Sequence, residues 1–191
     1  MAIEIGRPRD KRIDGAVLRA TVELLGECGY ADLSVDAIAR CAGTSKPAIY
    51  RRWPSKAYLV HEAAFPIGDA TALPDTGSLD GDVREMVRRT VAVLTTAAAR
   101  AALPGLVAEM AADLTLHAAL LERFGDILFR GLADRLTRAG DRGEVRPEVT
   151  VADLVEAIAG PVFLALLTRA PAIDVAWVQR TATLITRGIS A

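Results

Sequence analysis

The chain has 191 residues, of which 51% are apolar and 5% aromatic, and its formal net charge is −1. This apolar content is enough to bury a core, and the length suits one large domain or a small domain joined to a medium one. No apolar run approaches the roughly 18 residues that a membrane span needs, and the first residues lack the apolar segment of a signal peptide, so we expect a cytoplasmic protein with no membrane contact.

The first part of the chain predicts a short tail and two helices. Residues 1–9 are polar and form the tail. A helix follows from about Asp10 to Cys28, where apolar residues recur on one helical face. Gly29 is expected to end this helix in a left-handed conformation. A second helix starts after Ser34, a good N-cap residue, and ends at Gly43.

Two prolines bound the next two predicted helices. Pro47 stands in the first turn of a third helix, the part of a helix that tolerates proline. Pro54 ends that helix at about Trp53, because the residue before a proline disfavours the α conformation. The third helix would then be about ten residues, or roughly 15 Å, long. Ser55 caps a fourth helix that runs toward Ala64.

A connector separates these helices from the rest of the chain. Pro, Gly, Asp and Thr dominate the segment Pro66 to Gly81, which makes it the best candidate for a domain boundary. Beyond it, apolar residues recur at helical spacing in five stretches, and none alternates with the period of two that a strand requires. These stretches are 83–94, 106–114 after Pro104, 116–136 leading to Gly140, 151–169 and 174–188.

The sequence therefore predicts an all-α protein of about nine helices. The predicted divisions are a tail at 1–9, a three-helix domain at 10–54, a linking helix at 55–65, a connector at 66–79 and a helical domain at 80–191.

The second and third helices match a helix-turn-helix motif. The turn between them is about three residues long and contains Gly43, which lets the backbone turn without a clash at Cβ. A third helix of the predicted length fits the major groove of DNA, which is about 12 Å wide. Small or polar side chains stand at its start, where they permit close approach to bases, and groups suited to phosphate follow. The candidates are Thr44, Ser45, Lys46, Ala48, Tyr50, Arg51, Arg52 and Lys56.

The distribution of charge agrees with a polyanionic partner. Residues 1–60 contain ten Lys and Arg against seven Asp and Glu, whereas residues 61–191 contain thirteen against seventeen. A basic head on an acidic body indicates that the head contacts a polyanion. Two other interpretations stay open: the cations could form a solvated face, and Tyr50 could be a core residue. Trp53 is expected to pack between the short helices.

Residues 29–60 closely resemble the DNA-binding domain of the tetracycline-repressor (TetR) family of bacterial transcription regulators. The resemblance covers about Lys11 to Val60, and the rest of the chain agrees in length and helical character. The residues that carry it are Gly29-Tyr30, Ser34-Val35, Ile38-Ala39, Ala42-Gly43, Ser45-Lys46, Ile49-Tyr50 and Trp53-Pro54-Ser55-Lys56.

This resemblance implies a homodimer that binds a palindromic DNA site with one recognition helix of each subunit in the major groove. It implies that Ser34 and Val35 contact backbone phosphate and that Tyr50 and Lys56 bind phosphate. Residues implied to face bases and adjacent phosphates are Thr44, Ser45, Lys46, Pro47 and Ala48. A small molecule bound in the C-terminal domain would move the fourth helix, so that the spacing of the two recognition helices no longer matches one DNA turn.

The resemblance also implies a ligand cavity and a dimer interface in the helical domain. The candidate cavity residues are Val91, Leu94, Leu106, Met110, Leu120, Phe124, Leu128 and Phe163. The segment Ala159–Leu167 is apolar on nearly all sides, which suggests burial against a partner subunit, and Pro161 within it should kink the helix. With the last helix it would form a four-helix dimer interface. The candidate interface residues are Val162, Leu166, Trp177, Thr181 and Leu184.

The sequence offers little support for catalysis. His61 and His117 are the only histidines, and no Cys or carboxylate cluster accompanies them, so we predict no metal, cofactor or catalytic residue. Glu109 and Asp113 stand four residues apart and could pair as acid and base, although a solvated helix face explains them more simply.

Three functions remain as hypotheses. The first is a regulator, most often a repressor, that a small-molecule effector releases from DNA. The second is a regulator of the same fold that has a protein partner and no small-molecule effector, and the third is a small helical enzyme.

The two cysteines, Cys28 and Cys41, are expected to be buried, reduced thiols.

Overall fold

A computed structural model of the chain describes residues 11–66, 74–168 and 173–191, and within these ranges it describes all side chains except those of residues 11, 121 and 123–130. The predicted tail at residues 1–9 lies outside the described residues. The described residues form nine helices and no strand, which confirms the all-α prediction. The helices are α1 (Lys11–Asp32), α2 (Val35–Cys41), α3 (Lys46–Tyr50), α4 (Lys56–Ala64), α5 (Leu79–Leu94), α6 (Ala97–Ala112), α7 (Leu114–Asp141), α8 (Val151–Thr168) and α9 (Val175–Ile189).

The chain divides into two compact units. The first comprises residues 1–66 together with Ala101–Ala112, and the second comprises residues 67–100 and 113–191. The first unit thus ends its main segment at the start of the predicted connector. It also includes most of α6, which the predicted boundary assigned to the C-terminal domain.

In the first unit, α1 packs against α2 and α4, and α2 packs against α3. Leu25 of α1, Ile38 of α2 and Ile49 of α3 have at most 2% of their surface exposed, so one apolar residue of each helix lies in a common core. Trp53 is 3% exposed and its indole N–H donates to Glu62 at 3.0 Å, which confirms that it packs among the short helices.

Gly43 and Ser55 behave as the local sequence predicts, whereas Gly29 combines a positive φ with an extended ψ of 178°, and the Ser34 side chain makes no capping hydrogen bond. Gly29 (φ 73°) and Gly43 (φ 65°) both have the positive φ that other residues adopt at a cost. The α1 span continues past Gly29 to Asp32, but the backbone at Gly29 is not helical, so the regular part of the helix ends there. The Ser55 hydroxyl accepts the N–H of Tyr58 and caps α4.

Helix α3 is shorter than the sequence analysis predicts, with five residues instead of about ten. After Tyr50 the N–H of Arg52 bonds to Ile49 O three residues back, whereas the N–H of Trp53 bonds to the same oxygen four residues back. The helix therefore tightens into a turn as it approaches Pro54, which disfavours the α conformation at the residue before it.

In the second unit, α5 packs against α8 and α9, and α7 contributes to the same core. Val83 and Val87 of α5 and Val162 of α8 have no exposed surface, so α5 is the central helix of this core. Side-chain caps mark helix starts here, because Ser78 accepts the N–H of Gly81 and Asp174 accepts the N–H of Trp177.

Helices α6 and α7 differ from the sequence prediction in where α6 begins and in which helix contains Leu114. Helix α6 begins at Ala97 and includes Pro104, because Thr96 accepts the N–H of Ala99 and the following alanines favour the helix. Leu114, predicted as part of the same stripe, begins α7 and is 77% exposed. Asp113 is the N-cap of α7, and its carboxylate accepts hydrogen bonds from the N–H groups of Thr115 and Leu116, so it stabilises the start of this helix.

Two further features depart from expectation or qualify it. Cys28 and Cys41 are free thiols, as expected, but both are exposed and not buried.

Helix α8 is long and apolar enough to cross a membrane by length and composition alone, a property that it shares with core helices of soluble proteins. Leu154, Ile158 and Val162 lie in the core of the second unit, but only 22% of this apolar helix is buried within the chain.

Candidate nucleic-acid interface

The first candidate residues stand where α2 begins. Ser34 is the N-cap of α2 and is exposed, and its hydroxyl makes no capping hydrogen bond, so this hydroxyl can donate to an external phosphate. Val35 is 7% exposed, and its side chain belongs to the core. The phosphate contact of Val35 stays a prediction, and its backbone N–H at the start of α2 is the group that would make it.

The start of α3 presents small groups with the geometry of a helix cap. Ser45 is exposed and its hydroxyl accepts the N–H of Ala48 at 3.3 Å. Pro47 is exposed in the first turn, and Thr44 and Ala48 are partly exposed. No long side chain from these four positions projects from this end of α3, so an external surface can approach its backbone closely.

Lys46, at the start of α3, forms an ion pair with Asp36 of α2. Its ammonium lies 2.7 Å from Asp36 Oδ2 of α2, and both side chains are well exposed. The hydrogen bond and the charge of Asp36 raise the pKa of Lys46. A DNA phosphate or base that binds Lys46 therefore has to compete with, or be accommodated beside, a carboxylate of the protein.

Tyr50 and Arg51 follow at the end of α3. Tyr50 is 41% exposed, so it is not the core residue that one interpretation proposed. Arg51 is the C-cap of α3 and is also exposed. A phenolic hydroxyl and a guanidinium group are both suited to phosphate oxygens.

Arg52, the neighbour of Arg51, serves the domain itself. Its guanidinium pairs with Asp14 of α1 and lies 5.8 Å from the centre of the Trp53 ring. The sequence motif could not separate the roles of the two arginines, because the partner Asp14 lies 38 positions away. Both arginines are exposed, but the guanidinium of Arg52 is paired with Asp14 and so joins α1 to the end of the helix-turn-helix.

Lys56 is held at the start of α4. Its ammonium donates to the backbone oxygen of Tyr30 at 3.0 Å and lies 4.3 Å from the centre of the Tyr30 ring. An ammonium group has three N–H donors, so these contacts leave donors for a phosphate. The motif predicts Lys56 as a phosphate ligand, but no local sequence pattern indicates its contacts with Tyr30, which stands 26 positions earlier.

The candidate cavity residues are divided between the two units, and the cavity stays a prediction. Leu106 and Met110 belong to the first unit, whereas Val91, Leu94, Leu120 and Phe163 belong to the second. Val91 and Leu94 pack against the core of the second unit. The side chains of Phe124 and Leu128 lie outside the described set.

The candidate interface residues divide by burial. Val162 has no exposed surface, and Trp177 and Thr181 are each 8% exposed, so these three side chains lie inside their own subunit. These side chains pack within their own unit, and their predicted place in a dimer interface stays a prediction. Leu166 is partly exposed and Leu184 is 73% exposed, so both retain surface for an interface.

No metal centre emerges from the geometry. Within the ranges that the structure describes, no group of three His, Cys, Asp or Glu side chains could hold a metal ion.

Comparisons with known proteins match two family domains to the chain, with the boundary between residues 63 and 73 and with the whole of α6 in the C-terminal domain. Residues 17–63 match the family model of bacterial regulatory proteins of the tetR family, and residues 73–185 match the tetracyclin repressor-like C-terminal domain. The chain is similar to a DNA-binding transcriptional repressor TetR of Mycobacteroides abscessus, with 31% identity covering 90% of each chain. It is also similar to the HTH-type transcriptional regulator YdeS of Bacillus subtilis, with 28% identity over 97% of this chain and 94% of the other.

Solved structures give the same result. The TetR family transcription regulator SCO0332 superposes with a TM-score of 0.72 at 32% identity, covering 93% of this chain and 98% of the other. NalD of Pseudomonas aeruginosa, a repressor of a multidrug efflux pump, shares the fold at 20% identity with a TM-score of 0.59.

Proposed function

The chain belongs to the TetR family of DNA-binding transcriptional regulators, and on that premise we propose that it is a homodimeric repressor that a small-molecule effector releases from a palindromic operator. Because the proposed target is operator DNA, we propose that the protein acts in the cytoplasm. The family is one of regulators and not of enzymes, and the proposed activity is binding.

One observation carries the proposed DNA interface: the exposed groups suited to DNA lie together on α2, α3 and the turn after α3. Ser34, Ser45, Lys46, Tyr50 and Arg51 are all exposed. Their immediate neighbours Val35, Ile49 and Trp53 are buried, so the segment presents polar groups on one side and the core on the other. We assign phosphate contacts to Ser34, Tyr50, Arg51 and Lys56, and base-edge contacts to the start of α3.

The homodimer is proposed from the apolar surface of the last two helices. Leu164 and Leu167 of α8 and Val175 and Leu184 of α9 are each at least 60% exposed. Large apolar side chains concentrated on two helices favour association with a second copy. Two recognition helices held by such a dimer would have to lie about 34–36 Å apart to enter successive major grooves.

The proposed effector would act through the helical domain. Helix α6 is one continuous helix whose first four residues belong to the second unit and whose remainder belongs to the first. A ligand that favours one arrangement of the helical domain could therefore alter the DNA-binding unit through this helix, and a coupling of about 1–3 kcal/mol is typical. The alternative is a regulator of the same fold without an effector.

The DNA interface is tested by two substitutions and a distant control. A preferred duplex is first selected from a random-sequence library with the wild-type protein. Tyr50→Phe should weaken binding to this duplex and to a scrambled duplex by similar factors, about threefold to tenfold. Arg51→Ala should do the same and also lower the slope of log affinity against log salt by about one per subunit. Arg138→Ala, a change at an exposed arginine of α7 outside the proposed DNA and dimer surfaces, should alter neither quantity.

A different result would reassign the residues. If Tyr50→Phe or Arg51→Ala changed the preferred sequence while affinity for the scrambled duplex stayed the same, these side chains would contact bases and not phosphate.

The effector is sought by screening small apolar molecules for those that raise the melting temperature of the protein. Compounds that do so are then tested for release of the selected duplex. Failure of every compound to release it would favour the regulator without an effector.

A further inference from the structure

The ring of Tyr30 occupies the space between Lys56 and helix α6 in the first unit. Tyr30 is 7% exposed, and Lys56 is bound to it twice, by the hydrogen bond to its backbone oxygen and by the position of the ammonium over its ring. A cation over an aromatic face is attracted by the ring quadrupole, and more strongly when both groups are shielded from water. The position of Lys56 therefore depends on the position of Tyr30.

Gly105 of α6 lies against the stem of the same ring. A Cβ at residue 105 would lie 2.1 Å from Tyr30 Cδ1, 2.4 Å from Cγ and 2.8 Å from Cβ. Contacts this short do not occur between carbon atoms, and the atoms concerned are the fixed base of the side chain and not a flexible end. Any other residue at position 105 therefore has to displace either Tyr30 or the C-terminal part of α6.

Glu109 stands one turn further along α6, and its charge acts on the same tyrosine. Burial raises the pKa of the Tyr30 hydroxyl, and the neighbouring Glu109 carboxylate raises it further, so the hydroxyl stays protonated beside the carboxylate. Helix α6 therefore restricts the ring of Tyr30 with its backbone at Gly105, and the charge of Glu109 acts on the hydroxyl.

We propose that Gly105 and Tyr30 are positioning residues for DNA binding, because together they hold the Lys56 ammonium in place for a phosphate. This inference rests on the proposed role of Lys56 as a phosphate ligand. A lysine that is already ordered loses less side-chain freedom when DNA binds, so its contact contributes more to affinity. DNA affinity then depends on a glycine of α6 that belongs neither to the helix-turn-helix nor to its linking helix.

The test is Gly105→Ala, measured with the duplex that the wild-type protein selects from a random library and with a scrambled duplex. We expect affinity for both to fall about threefold to tenfold, with the salt slope reduced, as for Lys56→Ala. The control is Gly26→Ala in α1, where a Cβ would meet nothing within 4 Å, and which should leave affinity unchanged. Circular dichroism and melting of each variant report whether the fold is retained.

Two variants of Tyr30 keep the proposal testable if Gly105→Ala fails to fold. Tyr30→Phe retains the ring, so it should bind DNA within about twofold of the wild type. Tyr30→Leu retains an apolar side chain but removes the ring face, and it should lose affinity about as much as Gly105→Ala. Equal DNA binding by the folded Leu and Phe variants would overturn the proposal.

A double variant separates this inference from the proposed function. If Gly105 acts through Lys56, Gly105→Ala should weaken binding by less than about twofold in a Lys56→Ala background. Additive losses would show that Gly105 acts by another route and would overturn the inference. Wild-type affinity in Lys56→Ala itself would instead show that Lys56 is not a phosphate ligand, and the failure would then lie in the proposed function.

Discussion

At the scale of single residues, the candidate interface contains a negative charge that a DNA-binding surface does not need for affinity. Asp36 lies in the first turn of α2 and pairs with Lys46 at the start of α3. The pair neutralises one of the cations closest to the proposed bases. An exposed pair of this kind contributes little to stability, so its main effect would be on what Lys46 can bind.

We predict that Asp36→Asn strengthens binding to unrelated duplexes. The substitution frees the Lys46 ammonium and removes one charge that repels phosphate, so affinity for a scrambled duplex should rise roughly fivefold at low salt. Fluorescence anisotropy over a range of salt concentrations would measure this. Asp134→Asn, which makes the same change of charge at an exposed site on α7, is the matched control. Equal gains in the two variants would indicate net charge and not release of Lys46.

At the scale of helices, α5 is stabilised in two ways, by burial of one face in the core and by ion pairs on another face. Val83 and Val87 bury one side of the helix. On another side, Glu85 accepts from Arg88 and Arg89 at 2.6–2.7 Å, at spacings of three and four residues. The hydrogen bond from Arg88 and the neighbouring Arg89 lower the pKa of Glu85 to about 2 from 4.5.

This pKa predicts an acid-dependent loss of stability. A carboxyl whose pKa is lowered on folding stabilises the protein above its unfolded pKa of 4.5, and this stabilisation disappears as the pH falls toward about 2. Glu85→Gln should therefore reduce the free energy of unfolding by about 0.5–1 kcal/mol at pH 7, after allowance for solvent screening. The difference from the wild type should shrink steadily between pH 4.5 and the lowest pH at which the protein stays folded.

Urea titrations at pH 7 and at pH 3 measure this difference. Glu156→Gln, at an exposed position on α8, should change the free energy of unfolding little at either pH. A constant deficit of Glu85→Gln at both pH values would show that packing, and not the charge of Glu85, is responsible.

At the scale of the whole molecule, the apolar surface of α8 and α9 decides how subunits would associate. The two helices bury Val162, Trp177 and Thr181 within their own unit and leave other large apolar side chains outside. Charged substitutions at the buried positions would therefore unfold the unit and give no information about a dimer. The exposed leucines are the positions at which association can be tested separately from folding.

We predict that Leu164→Glu combined with Leu184→Glu gives folded monomers. Both side chains are exposed by 60% or more, so their replacement leaves the core intact, while two buried charges per subunit would oppose an interface. Sedimentation velocity at micromolar concentration measures the mass, and circular dichroism checks the helices. Leu114→Glu, which changes another highly exposed leucine on α7, should leave the mass of the dimer unchanged. A double variant that remains dimeric would place the interface elsewhere.

The amino-acid sequence alone determined the helices and the motif. Apolar spacing, the Ser55 cap and the positive φ of Gly29 and Gly43 follow from residues within one or two turns of each other, so local patterns predict them. The tertiary structure alone decided which side chains are available. It buried Val35, paired Lys46 with Asp36, separated the roles of Arg51 and Arg52, and brought Gly105 against Tyr30. These outcomes depend on contacts between residues 10 to 75 positions apart. Local sequence patterns do not predict such contacts, because apolar periodicity reports only which face of a helix is buried and not which residue of another helix packs against it.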